Sequence, residues 1–122
     1  MGELIFTYDE LSDTLYISFA PGEKVTGIEL NENLLLRINK AERRAIGLTV
    51  FNYSILAQKT ATGIRSLPLL GLAELSENLR QLTLDILLRP PVKEFLTVST
   101  YTPSYRESMP IATLHIDVLA LA

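Results

Sequence analysis

From Leu4 to Val50 apolar residues return at every second position, the spacing that puts them on one face of a pleated strand. Five short strands follow from this pattern. Leu4, Phe6 and Tyr8 share the inner face of the first, and Leu15, Ile17 and Phe19 that of the second, with Thr14, Tyr16 and Ser18 pointing the other way. The polar stretch Asp9-Glu10-Leu11-Ser12-Asp13 between them has hairpin length, and its Asp and Ser side chains can hold nearby backbone amides. Ala20-Pro21-Gly22-Glu23 makes the next turn. The third strand, Lys24 to Leu30, alternates imperfectly, because Val25 is out of phase with Ile28 and Leu30; a bulge at Gly27 would restore the register. Asn31-Glu32-Asn33 leads into Leu34, Leu36 and Ile38, and after Asn39 to Arg44 the fifth strand carries Ile46, Leu48 and Val50. Short links favour antiparallel neighbours, so the expectation is an antiparallel β-meander of about five strands.

The second half changes period. After a single helical turn over Asn52 to Ala57, a helix is expected from Leu72 to Leu88, where Leu75, Leu79, Leu82 and Ile86 keep the spacing of a buried stripe and Arg80, Gln81 and Asp85 fall away from it. Pro90-Pro91 stops it. Glu94 to Thr102 and Ile111 to Leu121 are rich in β-branched residues and read as two further strands, separated by a loop carrying Pro103 and Pro110. The fold class is therefore α+β, a meander covered by one main helix with two further C-terminal strands, in a single domain over residues 1 to 122. The meander's other face would present Ile5, Tyr16, Leu35 and Phe51, so either the C-terminal half or a second copy of the chain must cover it.

Composition narrows the function classes. With 48% hydrophobic and 20% charged residues the chain is expected to fold, and with no cysteine it has neither disulfides nor thiolate chemistry. Met1-Gly2-Glu3-Leu4 shows no basic region followed by a long apolar run, and no stretch approaches the roughly 18 apolar residues of a membrane span, so the cytoplasm is the expected compartment. A net charge of −3 works against a broad hold on phosphate backbones. The one basic knot, Lys40 with Arg43 and Arg44, falls at a turn, where solvated charge is ordinary.

Candidate chemistry is sparse. His115 and Asp117 are two residues apart on an expected strand, so they share a face, and an Asp that orients an imidazole suits base catalysis; no serine stands in a nucleophile elbow beside them. They are the catalytic candidates of an alternative in which the chain is a small hydrolase or isomerase. Asp9, Glu10 and Asp13 place three carboxylates close together, but without the spaced ligands and glycine of a calcium loop, and turn capping accounts for them. Tyr8 and Tyr16 read as cross-strand aromatics, and with Asp9 and Asp13 they are the binding candidates. The glycines form no phosphate-cradling or dinucleotide pattern, and no cofactor or metal is expected.

The run Tyr8-Asp9-Glu10-Leu11-Ser12-Asp13-Thr14-Leu15-Tyr16-Ile17, with Ala45-Ile46-Gly47-Leu48-Thr49-Val50 leading to Asn52-Tyr53-Ser54, resembles the domain of unknown function 2283 family over residues 4 to 57. The turn before the later strand, Asn39-Lys40-Ala41-Glu42-Arg43-Arg44, lacks the Asp and Gly usual there. The resemblance implies the β-meander fold and no activity, cofactor or catalytic residue. Since some relatives are encoded beside small toxin-like proteins, it also implies an antitoxin-like binding role. Together these readings point to a non-enzymatic protein-protein interaction module whose expected partners are a second copy, forming a homodimer, and a small protein.

Overall fold

The computed structural model describes residues 4–20, 24–56, 59–60, 63–64, 66–104 and 107–114. Five strands, β1 (Ile5–Asp9), β2 (Thr14–Ser18), β3 (Thr26–Glu29), β4 (Leu34–Asn39) and β5 (Arg44–Phe51), form one antiparallel sheet. Their order across the sheet is β1-β2-β5-β4-β3, so the expected adjacency of β2 and β3 gives way to a crossing to the far edge. The reason lies in β5, which is flanked on both sides. Its residues Ala45 to Val50 are all buried, as befits a central strand, and the chain leaving β2 stays bound to it, with Phe19 N and Ala20 N both donating to the Ile46 carbonyl at 2.8 and 3.3 Å.

The expected bulge at Gly27 is absent, because β3 pairs with β4 without a break, from Thr26 opposite Ile38 to Glu29 opposite Leu35. Val25 is out of phase simply because it precedes the strand. The register shift falls instead between β4 and β5, where Arg37 faces Gly47 and Ile38 faces Ala45, leaving Ile46 as the extra residue. Asn31 fixes the preceding turn: its side chain accepts from Asn33 N and Leu34 N and donates to the Pro68 carbonyl.

One helical turn, α1 (Tyr53–Leu56), follows the sheet, and the two-residue strands β6 (Lys59–Thr60) and β7 (Gly63–Ile64) pair with each other. Then β8 (Ser66–Pro68) leads to a 3-10 turn over Leu70–Glu74 and the main helix α2 (Glu77–Leu87). The helix thus begins later than Leu72. Ser76 accepts from Leu79 N and caps it there, while the Arg80 guanidinium donates to the Leu72 and Leu75 carbonyls and pairs with Glu77, fastening the 3-10 turn to the helix. A second 3-10 turn, Val92–Glu94, precedes β9 (Leu96–Ser104) and β10 (Glu107–Leu114), which with β8 make a three-stranded sheet in the order β8-β10-β9. Pro103 and Pro110 lie inside these strands rather than in a loop, and β8 is a third strand that the apolar pattern did not announce. The part of the last expected strand beyond Leu114 lies outside the described residues.

A single core joins the halves. Leu15, Ile17, Leu34, Leu36, Ile38, Leu48 and Val50 from one face of the five-stranded sheet pack with Leu72, Leu82, Ile86, Leu87, Val92, Leu96, Ala112 and Leu114. Phe95 sits at its centre, with ring centroids 5.7 Å from both Phe6 and Phe19. The 3-10 turn before α2 touches the edge of β3 directly: Gly71 N donates to the Leu30 carbonyl at 2.8 Å, so close that any Cβ at Gly71 would overlap the Glu29 carbonyl oxygen. The core residues of the C-terminal half thus pack on this one face of the sheet.

Candidate interaction surface

On the opposite face, cross-strand register lays side chains in two rows that run the width of the sheet. One row is Thr7, Tyr16, Thr49, Leu35 and Glu29; the next is Ile5, Ser18, Gly47, Arg37 and Gly27. Of the four residues expected on this face, Ile5 remains 50% and Tyr16 39% exposed, while Leu35 and Phe51 are half-buried. Thr49, flanked in register by Tyr16 and Leu35, is buried. The face is therefore open at Ile5, Thr7 and Tyr16 on β1 and β2 and at Gly27 and Glu29 on β3, and closed along the central strand β5, where Gly47 and Thr49 are buried.

Arg37 is the anomaly of this face. Its Nε is buried and has no hydrogen-bond partner, a state that costs about 1–3 kcal/mol for a neutral donor and more for a charged one. The guanidinium lies over Gly47, since a Cβ there would overlap Arg37 Nη2 and come within 2.9 Å of the Ile17 carbonyl oxygen. Glycine is thus required at position 47 by close approach. Gly27 stands in register on the other side of Arg37, so the cation has a glycine on each flank.

The candidates in the first hairpin form a separate, well-satisfied cluster. Asp9 shapes the turn, accepting from Leu11 N at 3.2 Å and Ser12 Oγ at 2.8 Å. Asp13, in the left-handed region at φ 53°, accepts from Tyr8 Oη at 2.6 Å, Ser54 Oγ at 2.7 Å and Ser54 N at 3.0 Å, while its carbonyl accepts from Tyr53 N. The Tyr8 hydroxyl first, and Ser54 second, hold the Asp13 carboxyl below its ordinary range. The same bond to Asp13 is the main cause that pushes the Tyr8 phenol up to about 12. Burial raises Tyr53, whose ring meets Tyr8 edge-on at 6.0 Å. A carboxylate so fully bonded is a weak base, and this cluster ties the hairpin to α1. Ser54 was the participant that single-sequence reasoning missed as a site residue; it lies 41 residues from Asp13, and its only sequence signal was its place at the end of the Asn52-Tyr53-Ser54 run.

Of the remaining candidates, Tyr16 belongs to the open face, away from Tyr8, which points to the core side; His115 and Asp117 lie outside the described residues. Arg43 approaches Asp85 of α2 at 3.7 Å and Arg44 holds Glu42 at 2.7 Å, so two cations of the basic knot have acidic neighbours. Among the described residues no cluster of three or more His, Cys, Asp or Glu could hold a metal, and no helix is long and apolar enough to cross a membrane.

These features define an α+β protein in which a five-stranded antiparallel sheet has one face built into the core and the other open at its outer strands. Within it, residues 5–54 match the family described as Protein of unknown function (DUF2283), a segment that runs from β1 to Ser54, the residue clasped by Asp13. That description assigns no function. No curated protein and no solved structure matches the chain.

Proposed function

We propose that the chain is a non-enzymatic protein-interaction module whose working surface is the open face of the five-stranded sheet. The observation that carries this reading is the exposure of Ile5 and Tyr16 beside the half-buried Leu35 on the face turned away from the core. Burying such side chains is worth about 25 cal/mol per Å², and aromatic residues are enriched where proteins meet. An antitoxin-like role, in which this face covers a small toxin-like protein, is one form of the reading.

The test is capture from a lysate of the source organism by immobilised wild type and by a Tyr16→Glu/Leu35→Glu variant, with melting temperature as the check on folding. A polypeptide, whether another protein or the chain itself, held by the wild type and lost from the variant is the expected result. Equal retention on both, or none on either, overturns the reading.

A further inference from the structure

We infer that β1 is a pairing edge, and that a second copy of this chain adds its own β1 antiparallel to it about a two-fold axis at Thr7, joining the two five-stranded sheets into one. The inference rests on the interaction-module reading and names a partner for the outer strands of its face. It starts from a contrast between strands. Those flanked on both sides, β2, β4 and β5, bury at least every second residue, whereas β1 has Ile5, Thr7, Tyr8 and Asp9 exposed and Phe6 half-buried. Exposure on both faces at once is the mark of a sheet edge, where backbone N–H and C=O groups stand ready for another strand. Among the described residues β1 pairs only with β2. The opposite edge is differently made: β3 carries Gly27, and the carbonyl of Leu30 just beyond it accepts from Gly71 N of the 3-10 turn. β1 has no proline, glycine, lysine or bulge to turn a strand away, and its Ile-Phe-Thr-Tyr run consists of residue types that strands favour.

The sequence of this edge is complementary to itself. With the axis at Thr7, the two Thr7 side chains face each other, Phe6 of each copy faces Tyr8 of the other, and Ile5 faces Asp9. No two like charges are opposed, and the acidic turns from Asp9 to Asp13 fall at opposite ends of the joined strands, so a chain of net charge −3 meets its copy without setting acid against acid. On the core side, Tyr8 of the copy lies against Phe6, whose ring already meets Phe95 edge-on, and extends the core across the axis. On the other side Tyr16 stands in register with Thr7 and is long enough to lean across it onto the copy, which gathers the exposed Ile5 and Tyr16 of both chains into one apolar patch.

Sedimentation equilibrium of the full chain tests this at the residue on the axis. Wild type should be a dimer. Thr7→Lys and Thr7→Glu each set like charges directly opposite one another and should weaken self-association by about 30-fold or more, while an equimolar mixture of the two variants should recover a heterodimer within about tenfold of wild type. Thr7 is exposed, so both variants should keep the fold, which circular dichroism melting checks. In a chain without cysteine, Thr7→Cys gives a second readout: mild oxidation should join two copies through position 7, and Glu29→Cys on the opposite edge should not join them. A wild-type dimer indifferent to Thr7→Lys and not joined by Thr7→Cys overturns the inference. So does a wild-type monomer; if that monomer still captures another protein through Tyr16 and Leu35, the interaction-module reading survives, and if it captures nothing, both fall.

Discussion

Replacing Gly71 with alanine should be the most damaging one-carbon change in the chain, and its effect can be worked from the contact it would break. The 3-10 turn that starts at Leu70 is seated on the edge of β3 by the bond from Gly71 N to the Leu30 carbonyl. An added methyl would overlap the Glu29 carbonyl oxygen, lie 2.9 Å from its carbon and stand 3.0 Å from the Leu30 oxygen, where an ordinary carbon-oxygen contact is about 3.3 Å or more. All three atoms belong to backbone, so no side chain can swing aside. Overpacking of this kind costs about 1–3 kcal/mol and the lost hydrogen bond about 1 kcal/mol, for a total near 2–4 kcal/mol. With an unfolding entropy of about 0.26 kcal/mol/K for a chain of 122 residues, the melting temperature should fall by about 8–15 °C. Thermal unfolding followed by circular dichroism reads this directly. A Gly71→Ala protein that melts within about 2 °C of wild type would refute the seating of the 3-10 turn on β3.

Three further outcomes follow from the packing and the hairpin clamp. Phe95→Ala removes the ring between Phe6 and Phe19 at the centre of the core and should cost about 3–5 kcal/mol in chemical denaturation. Ser76→Ala deletes the cap on α2 and should cost about 1 kcal/mol by the same measurement, with rescue by Ser76→Asp. Asp13→Asn should lower the melting temperature near neutral pH; because the folded carboxyl titrates below its ordinary value, the stabilisation is present above about pH 4 and fades as pH falls through the lowered folded value, so the gap to wild type should close in acid. A gap that stays constant down to pH 2 would contradict the clamp.

Much of the fold can be read from period alone, because inward residues such as Leu15, Ile17, Leu36 and Leu48 sit where strict alternation puts them and are buried. Strand order cannot be read this way. The link after β2 has the composition of a tight turn, yet nothing local says that β5, with Ala45 to Val50 buried throughout, will claim the place beside β2. The start of α2 was blurred for a similar reason: Leu72 and Leu75 fit the helical stripe, but the Gly71 seat on β3 holds the preceding residues in a 3-10 turn and Ser76 restarts the chain as a helix. The open face was half legible. Ile5, Tyr16, Leu35 and Phe51 are identifiable by their phase, whereas nothing local in the sequence marks Arg37, whose guanidinium lies close over Gly47 and whose Nε is buried without a hydrogen-bond partner. The Asp13 clasp on Ser54 spans 41 residues and depends on the finished sheet.

The central claim is that the open face, and not the helix side, meets other polypeptides. A photo-crosslinking residue placed at Tyr16 on that face, and separately at Gln81 on the exposed side of α2, tests it within cells of the source organism. The account predicts a discrete polypeptide adduct from position 16, to another protein or to a second copy of the chain, and none from position 81. Adducts of equal yield from both positions, or from position 81 alone, would contradict it.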